Sequence, residues 1–135
     1  MNVPNAETGE GGRNRGELIY VVDDEPMVLE LASAILKPLG YTVETFSSPV
    51  AALHGYEAAE SKPDLLITDY AMPKMNGLEL AAACRRIRPK QKILLMSGTV
   101  GEEVSHGAAV QPDCFLPKPY QANQLSDAAA AILAG

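Results

Sequence analysis

Tryptophan is absent from the 135-residue chain, phenylalanine occurs twice, and cysteine occurs only at Cys84 and Cys114. Two cysteines cannot build a disulfide framework, so reduced thiols in a cytoplasmic protein are expected. No apolar run reaches the ~18 residues that a membrane-spanning helix requires. The polar opening, Met1 to Gly16, lacks the apolar stretch of a secretory signal. Cations are scarce as well: 11 Lys and Arg face 17 Asp and Glu, for a net charge of −6. That balance argues against nonspecific nucleic-acid binding, which neutralises phosphates with cations, so neither nucleic acid nor membrane is an expected partner. The one dense basic stretch, Arg85, Arg86, Arg88, Lys90 and Lys92, reads first as a solvated helix end and second as a docking patch.

The hydrophobic fraction of 47% and charged fraction of 21% are those of a globular protein. At this length there is room for one domain with a real core. Residues 1–16 carry glycine, proline and cancelling charges without hydrophobic period, which predicts a disordered tail; the domain is expected over 17–134. It opens on Leu18-Ile19-Tyr20-Val21-Val22, an unbroken apolar run suited to a strand buried on both faces. Pro26 fits a first helical position, and Val28, Leu31, Ala32, Ile35, Leu36 and Leu39 then recur at helical spacing up to Pro38 and Gly40. The alternation continues. Strands are predicted at Thr42 to Phe46, Leu65 to Thr68, Ile93 to Met96 and Cys114 to Leu116. Helices are predicted at Pro49 to Glu60, Leu78 to Arg88, Glu102 to Ala109 (weakly, across glycine) and around Leu125, Ala128, Ala129 and Ile132. Five strand-then-helix units predict an α/β fold, a single parallel sheet wound with five helices on both faces.

Ligands of such sheets bind beyond the carboxyl ends of the strands. The first strand runs into Asp23 and Asp24, the third into Asp69, the fourth into Ser97-Gly98, and the fifth into Lys118. Three convergent carboxylates repel unless something neutralises them. An all-oxygen set without His or Cys favours Mg²⁺, which pairs well with phosphate, and Lys118 and Ser97 are residue types that hold phosphoryl oxygens. An aspartate in such company can be a nucleophile that forms an aspartyl-phosphate.

This arrangement resembles the receiver domain of two-component response regulators, the chemotaxis-type receivers among them. The resemblance covers about Glu17 to Leu133 and rests on Asp23-Asp24-Glu25, Asp69-Tyr70-Ala71-Met72-Pro73 with Gly77, Ser97-Gly98, and Lys118-Pro119-Tyr120, in that order. It implies a flavodoxin-like sheet of order 2-1-3-4-5, with Asp69 as phosphoacceptor and Mg²⁺ held by Asp24, by Asp23 mainly through water, by Asp69, and by the Ala71 backbone carbonyl. Lys118 and Ser97 would contact the phosphoryl group, Gly98 would leave it room to approach, and the Lys118-Pro119 bond would be cis. Phe115 falls at the family's switch-aromatic position, although it reads equally well as a core residue. Tyrosine is common there; without a hydroxyl, Phe115 could signal only by packing.

The implied function is a phosphorelay switch. A histidine kinase or histidine phosphotransfer protein donates its phosphoryl group to Asp69, and an altered surface acts on a downstream protein effector. The chain would then be no enzyme beyond catalysing its own phosphorylation and dephosphorylation. An Mg²⁺-dependent aspartate-nucleophile phosphatase is the alternative, but such enzymes place a second acid two residues after the nucleophile, where this chain has Ala71. With Met1 at its start and no output segment after Leu133, the chain is expected to be a stand-alone regulator. The other possibility is the receiver portion of a hybrid histidine kinase or longer regulator. His54, His106, Cys84 and Cys114 have no chemical partner in sequence and are expected to be structural.

Overall fold

The computed structural model describes residues 16–98 and 110–135. The expected tail, Gly16 apart, and the expected helix from Glu102 to Ala109 lie outside them. Among the described residues five strands and four α-helices follow one another: β1 (Leu18–Val22), α1 (Pro26–Leu36), β2 (Thr42–Phe46), α2 (Pro49–Ala58), β3 (Leu65–Asp69), α3 (Gly77–Ile87), β4 (Ile93–Ser97), β5 (Cys114–Pro117) and α4 (Ala122–Ala134). All pairings are parallel, and the sheet order is β2-β1-β3-β4-β5. Every residue of the central strands β3 and β4 is buried, which is why they read as continuous apolar runs rather than as alternation.

The sheet separates two cores. On one face Ile19, Val21, Ile67, Leu94 and Met96 meet Leu29, Ala32 and Leu36 of α1 and Leu125 and Ala129 of α4. On the other, Tyr20, Val22, Leu66 and Ile93 meet Ala52 and Tyr56 of α2 and Leu80, Ala81 and Cys84 of α3. Helix starts are chemically marked. Pro26 and Pro49 open α1 and α2, Ser48 Oγ accepts from the Ala51 amide, and Asn76 and Glu79 exchange bonds in a capping box at α3. The segment after α1 tightens into a 3₁₀ turn over Lys37–Leu39 and stops at Gly40, whose φ of 100° suits glycine.

Two sequence expectations need correction. The buried row of α1 is Leu29, Ala32 and Leu36, whereas Leu31 is 50% exposed and Leu39 37%. The helix is rotated so that the i, i+3, i+7 row faces the sheet, leaving Met27 and Leu31 together on the outer side. The basic stretch is a solvated helix end only in part: Arg86, Arg88 and Lys90 are exposed, but several of the cations also serve as anchors. Arg85 bonds the carbonyls of Gln91 and Gln111 and pairs with Asp113 at 3.0 Å; Arg88 bonds the Pro63 carbonyl; Lys92 Nζ bonds those of Ile132 and Gly135. Three of the five cations thus tie loops and the end of α4 to the α3–β4 corner, consistent with cations satisfying terminal carbonyls. Among the described residues no helix is long and apolar enough to cross a membrane.

Candidate functional site

The rim is assembled by where the ladders stop. Pairing of β1 with β3 ends at Val22–Thr68, and Asp23 turns away to donate its amide to the Phe46 carbonyl at 3.1 Å. Asp23 Oδ1 then accepts from the Glu25 amide at 2.9 Å, so one carboxylate oxygen shapes the entry to α1 and the other is left for the site. Asp69, last in β3, pairs in register with Met96, and the Tyr70 amide extends that ladder to the Met96 carbonyl at 2.8 Å. Lys118 follows β5 directly, its amide bonded to the Ser97 carbonyl at 2.8 Å. The Lys118-Pro119 peptide bond is cis.

Carboxylate oxygens of Asp23, Asp24 and Asp69 lie within 4.8 Å of one another. Asp23 and Asp69 are buried; Asp24 is exposed and forms the mouth. Lys118 Nζ bridges the two buried acids, 2.8 Å from Asp23 Oδ2 and 3.1 Å from Asp69 Oδ1. Burial pushes the Asp69 carboxyl up, and the Asp23 charge adds to this; bonds from Lys118 and the Tyr70 amide offset only part. Burial opposes the Lys118 ammonium, but the two aspartates outweigh it and hold its pKa above the usual lysine value. One ammonium against three acids leaves the site net negative. A small, hard divalent cation suits that all-oxygen donor set, and Asp23, Asp24 and Asp69 would hold it.

Ser97 is buried at the end of β4. Among the described residues a Cβ added to Gly98 would meet Lys118 Cβ alone, at 4.0 Å, and its φ is not positive. Ala71 lies in the exposed start of the loop toward α3. Phe115 is half-buried and pairs with Leu95, two register pairs back from Ser97–Pro117. Strand alternation therefore puts Phe115 on the same sheet face as Ser97. His54 is exposed on α2, and His106 lies outside the described residues. Cys84 is buried and its thiol pushed up to about 12 by burial first, then by the Glu57 charge; the Cys114 thiol is raised by burial too. Neither is set up as a nucleophile.

Gly77 belonged to the matching motif without a role of its own, and Thr68 and a groove beside the rim carried no sequence signal. Gly77 sits beneath the acceptor, where a Cβ would stand 2.3 Å from the Asp69 carbonyl oxygen and 2.9 Å from Leu95 Cδ1. Thr68, fully buried, donates its hydroxyl to that same carbonyl at 3.0 Å. A groove of about 400 Å³ beside the rim is lined by Val28, Leu31, Gly98, Lys118, Pro119 and Tyr120. The Tyr120 hydroxyl is buried without a hydrogen-bond partner among the described residues.

The raised Asp69 pKa has a consequence for stability. A carboxyl raised above its unfolded value favours folding while protonated and loses that contribution as pH rises through the folded value, so ionised Asp69 weakens the ion-free fold at neutral pH. Asp69→Asn is expected to melt higher than the native protein at neutral pH without divalent ions. The gap should close as pH falls into the carboxylate range; thermal melts across pH check it, and an unchanged or lower neutral melting temperature would contradict it.

A family model described as response regulator receiver domain matches residues 19–130. The response regulator MprA of Mycobacterium ulcerans is 36% identical over 109 residues, 79% of this chain and 46% of that protein. The response regulator protein TodT of Pseudomonas putida is 30% identical over 124 residues, 89% of this chain and 52% of that protein. The chain thus spans at most about half the length of the curated relatives it matches. Among solved structures, the chemotaxis protein CheY4 of Vibrio cholerae superposes with a TM-score of 0.79 at 28% identity, covering 87% of this chain and 98% of that one. A receiver domain protein from Clostridium thermocellum gives 0.77 at 26% identity, covering 87% and 94%.

Proposed function

The chain belongs to the response regulator receiver domain family, and from that premise we propose that it is a phosphorylation-dependent switch with Asp69 as acceptor. The carrying observation is a buried carboxylate held 3.1 Å from an ammonium and within 4.8 Å of two further carboxylates, at the carboxyl ends of parallel strands. In the proposed reaction an Asp69 oxygen attacks the phosphorus of a phosphohistidine. The P–N bond breaks, its electron pair returns to the imidazole nitrogen, and an acyl phosphate forms. Lys118 offsets charge on the phosphoryl group in transit, and Ser97 contacts it afterwards. Asp23, Asp24, Asp69 and the Ala71 carbonyl would hold Mg²⁺, which when bound supplies further neutralisation of the phosphoryl oxygens. Gly98 leaves that approach open. Water later cleaves the acyl phosphate to aspartate and inorganic phosphate. Ala71 offers no acid for a leaving group, so turnover on outside substrates is disfavoured and the chemistry is the chain's own. Incubation with acetyl phosphate and Mg²⁺ should add one phosphoryl group by intact mass, and Asp69→Ala or chelation should abolish it. Labelling that survives Asp69→Ala would overturn the assignment.

A histidine kinase or histidine phosphotransfer protein must bring its phosphohistidine to this rim. The groove shares Gly98 and Lys118 with the site and continues over Val28, Leu31, Pro119 and Tyr120, with Met27 80% exposed alongside, which makes it the proposed donor seat. Leu31→Asp is expected to slow transfer from a phosphorylated protein donor by about tenfold or more, while labelling by acetyl phosphate stays at the native rate. Equal slowing of both reactions would place the effect in the site rather than in docking.

A further inference from the structure

Thr68 is a polar residue with no exposure, set in the sheet between Val22 on one side and Leu95 on the other. A buried hydroxyl without a partner is costly, and valine has the same shape without that cost. The hydroxyl is directed to one place, the Asp69 carbonyl at 3.0 Å. That carbonyl lies just past the last β1–β3 register pair, where the sheet gives way to the loop. It is approached from another side by Gly77, so closely that a Cβ there would stand 2.3 Å away, while the Gly77 amide bonds the next carbonyl, Tyr70, at 2.8 Å. Asp69 and Tyr70 carbonyls are thus both fixed at the point where the chain leaves the strand.

We infer that Thr68 is a positioning residue for phosphoryl transfer: its hydroxyl, with the start of α3 packed close by, sets the Asp69–Tyr70 peptide plane and through it the Asp69 carboxylate and the Ala71 carbonyl. This rests on the reading of Asp69 as the acceptor. Rotating that peptide plane moves both groups, and misplacement on the ångström scale is enough to cost an aligned reaction much of its rate. The Tyr70 amide holds the same peptide plane to the Met96 carbonyl of β4 at 2.8 Å, so the hydroxyl secures its carbonyl end, on the side where pairing with β1 has stopped.

The test compares Thr68→Val with Thr68→Ser in the full chain. The readouts are melting temperature, the Mg²⁺ dissociation constant from amide-shift titration without any phosphodonor, and the acetyl phosphate labelling rate at saturating Mg²⁺. Thr68→Val is expected to fold with a melting temperature close to native, bind Mg²⁺ severalfold more weakly and label roughly tenfold more slowly; Thr68→Ser, which keeps the hydroxyl, should recover both within about twofold. A purely structural role would lower the melting temperature and leave the other two readouts alone. Native affinity and rate in Thr68→Val, or failure of Thr68→Ser to recover them, would overturn the inference while leaving Asp69 as acceptor. Absence of labelling in the native protein would overturn both. Should Thr68→Val fail to fold, Thr68→Ala against Thr68→Ser decides the same question on the same readouts.

Discussion

Gly77→Ala is expected to destabilise the protein by about 3 kcal/mol and to lower its melting temperature by roughly 10 °C or more. The added methyl would stand 2.3 Å from the Asp69 carbonyl oxygen and 2.9 Å from Leu95 Cδ1. The first contact is backbone, so the clash cannot be relieved by a rotamer change. Either α3 retreats from the sheet, opening space above Leu80 and Ala81, or the Asp69 peptide rotates away from its strand position. Both outcomes move the acceptor, so labelling at a temperature where the variant is fully folded should still fall by at least about tenfold. Chemical denaturation and single-turnover labelling of one preparation check the pair of effects. A variant with near-native stability and rate would show that this approach is looser than 2.3 Å implies.

The second large effect belongs to Lys118. Its ammonium lies 2.8 Å from Asp23 Oδ2 and 3.1 Å from Asp69 Oδ1. Asp23 is completely buried. Removing the cation from a buried pair leaves an uncompensated charge, a change that costs about 3 kcal/mol or more. Lys118→Ala should therefore melt well below native in the absence of divalent ions and regain much of the loss in their presence. Adding Asp23→Asn to Lys118→Ala should return most of the stability, because the two residues are directly coupled. Labelling should fall by about a hundredfold in Lys118→Ala, the usual scale for removing a group that stabilises transition-state charge. Denaturant titrations of the two singles and the double measure the coupling. Additive losses would contradict the bridging role of the ammonium.

Much of this site is legible in the chain because it is punctuated. Apolar runs of strand length are followed at once by Asp23-Asp24, Asp69, Ser97-Gly98 and Lys118, and the parallel-sheet rule gathers those ends on one rim. The order β2-β1-β3-β4-β5 followed from family resemblance, since strand runs alone do not state their neighbours. What stayed hidden depends on contacts distant in sequence. The rotation of α1 is set by the sheet it meets, so Leu31 reads as core and is half exposed while Leu29 takes its place. Arg85 and Lys92 look like surface charge until Gln111, Asp113 and the end of α4 arrive beside them. Thr68 reads as one more strand residue; only the end of the β1 ladder shows where its hydroxyl goes.

The central claim is that occupation of Asp69 changes a surface, and the most direct measurement is an NMR comparison of the Mg²⁺-loaded chain with and without beryllofluoride. Ser97 ends β4, and Phe115 lies on the same sheet face two register pairs back. A phosphoryl-like group at Asp69 that draws Ser97 toward it frees space on that face, and Phe115 is the large side chain placed to enter it. A ligand shifts such an equilibrium only through contacts it makes in one state and not the other, here those of Ser97. Coupled shifts of Asp69, Ser97 and the Phe115 ring, with Phe115 moving to a more buried position, are the predicted result. Shifts confined to the neighbourhood of Asp69, with Ser97 and Phe115 unmoved, would contradict the switch.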